Sequence, residues 1–244
     1  MTSDVSGDWN VAAYEAFHDL RLRPAPDLLV RVSCLPPGDI IDLGCGAGAA
    51  GPALRTRFPD WHLVGVNASP DMLEKAQDRG LYDDLQMADI ADWSPATAPA
   101  LILSNAALHW LAVHQALIPR LYAMIAPGGA LAVQMPDQLR RPSHQTLIAA
   151  AVKTRPDLFA DWTPFPGPLD PSDYTALMES AAVELWSTEY HKRIAAAPDG
   201  ANPVRRFSSS TAGAPVLARL SAEEAKAFGA AWDAGLDQSL SALA

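Results

Sequence analysis

Residues 38–48 read Gly-Asp-Ile-Ile-Asp-Leu-Gly-Cys-Gly-Ala-Gly, and this stretch decides the fold. Ile40, Ile41 and Leu43 make a short apolar run of strand formers, Gly44, Gly46 and Gly48 come next at every second position, and Ala49–Phe58 has helical character. Strand, glycine-rich turn and helix in succession form the unit that holds the sugar and polar tail of a nucleotide-like cofactor. Glycine suits such a turn because it accepts positive φ and lets the backbone approach a ligand without a Cβ in the way. The spacing is G-x-G-x-G, not the G-x-G-x-x-G of dinucleotide binders. A glycine triplet alone is a weak signal, since any tight strand-to-helix turn favours glycine. The weight rests on the residues at the ends of the later strands.

Trp61–Val66 reads as a second strand. An acid about 20 residues past the glycine loop usually accepts the ribose hydroxyls in nucleotide folds; here that position is Asn67, which accepts one hydroxyl and donates to another but brings no charge. Ser69 caps the next helix, Pro70 sits in its first turn, and Asp71 favours its positive end. Met72 suits either an adenine face or plain helix-to-sheet packing. Leu85–Ala88 is a third strand, closed by Asp89 and Ile90; an acid there either accepts from an adenine amino group or caps a turn. Ala100–Leu103 is strand four, with Asn105 at its carboxyl end and His109 and Trp110 on the next turn. Val113–Ile125 has helical spacing, ended by Pro127-Gly128-Gly129, and Ala130–Gln134 is strand five.

This alternation predicts an α/β, Rossmann-like, mostly parallel sheet with helices on both faces and a ligand at the carboxyl ends of the strands. Residues 8–32 read as two short helices, an N-terminal lid in which Arg21 and Arg23 are either solvated or held over the pocket. Residues 142–180 are helical and proline-rich, Val183–His191 reads as strand six, and Ser221 with Glu224 forms a capping box for the last helix. The expected organisation is a core with its lid over 1–135 and a substrate-facing helical region with the last strand over 136–244, within one domain.

Apolar residues are 49% and charged residues 19% of the 244, a globular balance. The net charge of −10 opposes binding to a nucleic-acid polyanion. The two cysteines, Cys34 and Cys45, do not form a disulfide framework, and the six histidines show no metal-ligand spacing. The start carries no basic region leading into an apolar run, and the most apolar tract, Pro99–Val133, is interrupted by Asn105, His109, His114, Arg120 and Pro127. The expectation is a cytoplasmic chain with no membrane, nucleic-acid or metal partner.

With these motifs in order, the sequence resembles the class I S-adenosylmethionine-dependent methyltransferases, and within them the trans-aconitate 2-methyltransferases. The resemblance rests on D-W-N (8–10), R-x-R-P-A (21–25), D-L-G-C-G-x-G (42–48), S-P-x-M (69–72) and A-D-I-x-x-W (88–93). It continues through N-A-x-x-x-W-L (105–111), A-V-Q-M-P-D (132–137), P-S-H (142–144) and W-x-T-x-Y-H (186–191). It implies that Asp42, Gly44, Cys45, Gly46, Gly48, Asn67, Ala68, Met72, Asp89, Ile90 and Asn105 hold S-adenosylmethionine. It implies that Arg21, Arg23, Trp110, His144, Tyr190 and His191 face a small carboxylate substrate. Arg140 and Arg141 are expected to be surface charges. Three departures stand out. Asn67 replaces the family's Asp, Ala214 stands where an arginine is expected, and the sequence stops near the point where the family adds a final strand pair.

The implied reaction is in-line methyl transfer from a sulfonium to a carboxylate of trans-aconitate, giving the monomethyl ester. With a pKa of about 4 the acceptor is already ionised at neutral pH and needs no general base. Catalysis then comes from alignment in a dry pocket. A different small acceptor on the same fold, or a cofactor-binding relic without turnover, are the competing readings.

Overall fold

The computed structural model describes residues 22–179, 181–191, 194 and 200–241. Strand β1, Ile40–Leu43, is buried at every position, so it needs cover on both faces and a neighbour on each edge. The neighbours are β2 (Leu63–Asn67) and β4 (Leu101–Asn105), both parallel to it. β3 (Asp84–Met87) and β5 (Ala130–Gln134) complete the sheet in the order β3-β2-β1-β4-β5. Parallel neighbours require crossovers, and helices α1 (Pro24–Leu29), α2 (Gly51–Arg57), α3 (Pro70–Asp78) and α4 (His114–Met124) surround the sheet. The parallel α/β architecture read from the sequence is the one observed, with the boundaries of β1 to β5 within two residues of their expected places.

Alternation sorts the strand residues into two layers. Ile40, Leu63, Leu101, Leu103 and Ala132 lie under Ala25, Leu28 and Leu29 of α1 and under Leu54 and Phe58 at α2. Ile41, Leu43, Val64, Val66 and Ile102 lie under Leu108, Trp93 and the α4 residues Leu117, Ile118 and Leu121. A fully buried Leu or Ile contributes about 1.5–3 kcal/mol, more than the ~1 kcal/mol of a helix cap, so burial sets the layering. By the same alternation Asp42, Asn67, Asn105 and Gln134 share the first face with Ile40, on the side that α1 covers.

The chain divides into two compact units. The sheet unit holds the described residues to Pro136 together with Gly167–Thr188, including α7 (Pro171–Leu177); the other holds Asp137–Pro166 and the described residues from Glu189 onward. In the second unit, α5 (Pro142–Thr154) packs on α10 (Ala222–Ser241), with α6 (Pro156–Phe159), α8 (Pro203–Ser209) and α9 (Ala214–Leu217) around them. Trp232, Phe159, Phe228 and Leu147 are fully buried there. Trp232 donates from Nε1 to the Ser143 carbonyl at 3.3 Å.

One expectation fails. Val183–His191 is not a strand, and among the described residues the sheet ends at β5. The apolar alternation of this segment suits a strand, but it pairs with no sheet edge, and Val183, Leu185 and Trp186 stay 43%, 47% and 41% exposed. Arg31 instead holds the segment by an ion pair to Glu184 and by stacking 5.1 Å from the Trp186 ring centroid. Of the expected lid, residues 8–21 lie outside the described residues, and only α1 is seen. Among the described residues no helix is long and apolar enough to cross a membrane.

The expected capping box is formed: the Ser221 N–H donates to Glu224 Oε2 at 2.8 Å and the Glu224 N–H to Ser221 Oγ at 3.4 Å. Ser221→Ala is expected to lower stability by about 1 kcal/mol. Urea denaturation checks this, and an unchanged midpoint would mean that the cap does not contribute in solution.

Candidate active site

The turn after β1 reverses the chain through three left-handed glycines, Gly44, Gly46 and Gly48, with φ of +82°, +54° and +77°. Two of them are also sites of close approach. A Cβ on Gly44 would lie 2.4 Å from the Ala107 Cβ, so the β4 loop rests directly on this residue. A Cβ on Gly48 would lie 3.0 Å from the Tyr82 ring. Gly46 differs, because among the described residues a Cβ there meets nothing within 4 Å. The described residues leave its outer side open, and a ligand can use that space.

Asp42 is 1% exposed beneath this turn and accepts a hydrogen bond from Tyr82 Oη at 2.6 Å. Burial pushes its carboxyl up from 3.8 to about 6, against the smaller lowering effect of the tyrosine. The Tyr82 ring is seated against glycine: beside Gly48, Cβ atoms on Gly51 and Gly65 would lie 3.3 Å and 3.0 Å from it. Arg79 ties the turn to the end of α3, donating from Nε to the Ala47 carbonyl at 2.6 Å. Burial and the nearby Asp42 push the Cys45 thiol up, so it stays protonated and is no nucleophile.

The other strand tips sit around this turn. Asn67, at the end of β2, accepts the Gly46 N–H at 3.3 Å through Oδ1 and donates to the Ser69 carbonyl at 3.4 Å, bridging the glycine turn to the cap of α3. Both bonds are long, so the amide is held loosely. Ser69 Oγ accepts the Met72 N–H at 3.4 Å, and Met72 is buried at 9% exposure, while Ala68 is exposed. Asp89 is exposed and closes a turn by accepting the Ala91 N–H at 2.9 Å. Ile90 is its neighbour, with its Cδ1 3.1 Å from where a Gly44 Cβ would stand. Arg120 of α4 donates to three carbonyls of this loop, those of Ile90, Ala91 and Trp93, at 2.9, 2.7 and 2.7 Å. Asn105 ends β4 in register with Gln134 of β5. Ala106 comes next with a left-handed φ of +53° and donates its N–H to the Gln134 carbonyl at 2.9 Å. The Asn105 Oδ1 and the Gln134 Oε1 are both buried with no hydrogen-bond partner among the described residues.

The residues expected to face the substrate are distributed over both units. Arg21 lies outside the described residues. Arg23 opens α1, largely exposed, 3.7 Å from Asp27. Trp110 is half-buried on a 3-10 turn, Leu108–Trp110, which His114 braces by donating from Nε2 to the Leu108 carbonyl at 2.8 Å. Tyr174 Oη lies 2.7 Å from the other nitrogen of His114. His144 belongs to the second unit and is buried at 3% exposure, edge-on to Phe165. Burial pushes its imidazole down to about 4, so it carries no positive charge at neutral pH. Tyr190 is half-buried, and His191 is exposed 3.7 Å from Glu189. Among the described residues no group of three His, Cys, Asp or Glu side chains could hold a metal ion.

Residues 40–129 match the family model described as a methyltransferase domain. The trans-aconitate 2-methyltransferase of Paracidovorax citrulli is 36% identical, over 94% of this chain and 89% of that protein. The one from Methylobacterium radiotolerans is 42% identical, over 77% and 75%. The chain belongs to the trans-aconitate 2-methyltransferase family. It is therefore an S-adenosylmethionine-dependent methyltransferase. The fold is shared with a chain of the complex between a Haloferax volcanii methyltransferase activator and the putative methyltransferase, at 15% identity and a TM-score of 0.54, over 85% of this chain and 93% of that one.

The site fits the cofactor of this family. The open side of Gly46 leaves room for it, and two buried acceptors without partners among the described residues await hydrogen-bond donors. Sequence reading passes over three residues that shape the site: Tyr82, Arg120 and Gln134. Tyr82 has one available signal, since Gly48, Gly51 and Gly65 flank a space that only a large ring fills. Arg120 and Gln134 have none, because their roles depend on which loops fold next to them.

The open side of Gly46 can be tested directly. Gly46→Val fills that side with a β-branched residue, at the cost of strain at the left-handed φ of +54°, and should abolish binding of S-adenosylhomocysteine in calorimetry while the variant still melts cooperatively; retained binding would count against this turn. For Asp42, the folded chain holds its proton up to about pH 6, whereas the unfolded chain releases it near 3.8. Stability therefore falls as pH rises through that window and stays lowered above it, by about 3 kcal/mol. Asp42→Asn should stabilise the unliganded chain by up to that amount at pH 7–8, with the gain vanishing near pH 4. Denaturation of both forms across pH is the measurement, and a pH-independent difference would contradict the buried-carboxylate account.

Proposed function

We propose that the chain methylates one carboxylate of trans-aconitate, giving the monomethyl ester. The observation that carries this reading is the 36% identity to a trans-aconitate 2-methyltransferase across nearly the whole of both chains. S-adenosylmethionine supplies an electrophilic methyl group on a sulfonium, which leaves as a neutral thioether. The chain's own residues position and exclude water. The turn Gly44–Gly48 holds the cofactor's polar end with Asp42 supporting it from beneath, Asn67 with Ala68 takes the ribose, and Met72, Asp89 and Ile90 take the adenine. Asn105 takes the methionine end.

The strand tips β2, β4 and β5 end in carboxamides, Asn67, Asn105 and Gln134. None can act as a base at neutral pH. An acceptor that arrives ionised, such as a carboxylate, needs none. Arg23 opens the helix that covers the face carrying these tips, with its guanidinium 3.7 Å from Asp27, and the fork of an arginine suits a carboxylate. Trp110 supplies an apolar wall. The small carboxylate is the partner this reading requires.

Turnover with trans-aconitate against a panel of dicarboxylic acids and phenols tests the substrate class. Ester formation with trans-aconitate is expected, and methylation of phenols alone would overturn the reading. Arg23→Ala should raise KM for trans-aconitate about tenfold, the scale of one lost charge-assisted hydrogen bond. It should leave S-adenosylhomocysteine affinity nearly unchanged, and if neither parameter moves Arg23 is a surface residue.

A further inference from the structure

We infer that Gln134 is a cofactor-positioning residue: its side-chain oxygen and that of Asn105 form a two-oxygen cradle for the α-ammonium of S-adenosylmethionine. The inference deepens the cofactor reading of the site and rests on it. Asn105 and Gln134 are register partners at the last residues of β4 and β5, so their side chains leave the sheet on the same face. Both amide oxygens are buried, and neither has a hydrogen-bond partner among the described residues. A single orphaned acceptor inside a protein is uncommon and destabilising. Two in register, at the carboxyl edge where open α/β sheets bind ligands, indicate that a ligand supplies the missing donors.

The chemistry of the reactants narrows the choice. An ionised polycarboxylate has no N–H or O–H to donate. The sulfonium has none either. The ribose hydroxyls and the adenine amino group belong at the other half of the sheet, by the tips of β2 and β3 where Asn67 and Asp89 stand. The ammonium at the methionine end remains, with its three N–H groups. Neighbouring strands lie about 4.8 Å apart, and a donor reaches an acceptor over about 2.7–3.2 Å, so one ammonium can bridge both oxygens. The surrounding backbone fixes this pair. The left-handed Ala106 sends its N–H to the Gln134 carbonyl, locking the two strand ends together, and the approach of Ala107 to Gly44 sets them beside the glycine turn.

Calorimetry of wild type, Gln134→Met and Gln134→Glu with two probes tests this. S-adenosylhomocysteine carries the ammonium, whereas 5′-methylthioadenosine lacks the whole amino-acid end. Gln134→Met should bind S-adenosylhomocysteine about tenfold more weakly and 5′-methylthioadenosine unchanged. Gln134→Glu, which keeps an acceptor, should stay within a few-fold of wild type for both. Because Gln134→Met also removes a buried acceptor without a partner, the unliganded variant should melt no lower than wild type. A lowered melting temperature with equal loss for both probes would make Gln134 a structural residue and overturn the proposal, as would undiminished S-adenosylhomocysteine binding by Gln134→Met. In that last case the cofactor reading survives. Wild type failing to bind S-adenosylhomocysteine would remove the cofactor reading and this proposal with it.

Discussion

The contact on which the site depends is the meeting of Ala107 with Gly44. The loop after β4 comes so close to the turn after β1 that a methyl group at residue 44 would stand 2.4 Å from the Ala107 side chain. Only glycine permits this, and the left-handed φ of +82° excludes other residues a second time. The consequence travels outward. With the two tips touching, Asn105 and the left-handed Ala106 are placed beside the glycine turn, and the Ala106 N–H recruits the end of β5. Four strand tips, carrying Asp42, Asn67, Asn105 and Gln134, are thereby brought to one edge and one face of the sheet. A sheet built only for stability has no need of such an approach.

The same edge carries groups that a stable fold avoids. Asp42 is buried with a raised pKa, and the Tyr82 hydroxyl relieves its burial only in part. Two amide oxygens are buried without partners among the described residues. Ala106 holds a left-handed conformation, which disfavours any residue with a Cβ. Concentrations of unfavourable terms at one place mark a site arranged in advance for a ligand. The apolar layers on either side of β1 offset them, since Ile40, Leu43, Leu101, Ile102 and Leu103 are each at most marginally exposed. Tyr82 and Arg120 are the supports: one is held in a glycine-lined slot, the other grips three carbonyls of the loop after β3.

How much of this is legible in the sequence depends on the range of each interaction. The strands and their order of appearance are readable because an apolar run between turn residues is a local pattern, and the glycine turn because φ and close approach restrict the residue locally. The cap at Ser69 and the box at Ser221 and Glu224 are equally local. Val183–His191 misleads for the opposite reason. Its alternation is as good as that of a strand, but a strand exists only where an edge accepts it, and no edge is encoded in so short a segment. His144 reads from sequence as a polar site residue, yet burial against Phe165 leaves it neutral. Arg120 and Gln134 are invisible because each acts on a segment at least 27 residues away in the chain.

The choice of carboxamides at three strand tips has an electrostatic reason. A carboxylate at Asn105 or Gln134 would also accept from the cofactor's ammonium, and would bring a negative charge with it. On the proposed reading of the site it would also face an anionic acceptor. Two like charges about 4 Å apart repel by about 4 kcal/mol at an effective dielectric of about 20, more than the roughly 1.5–3 kcal/mol of one hydrogen bond to a charged group. A neutral oxygen accepts an ammonium or hydroxyl proton and adds no repulsion. On a chain whose net charge is already −10, every further anion beside the acceptor would have to be countered by an arginine. Asp42, 1% exposed beneath the turn, keeps its proton only below its pKa of about 6, so at neutral pH it is a buried anion that favours a cationic ligand nearby.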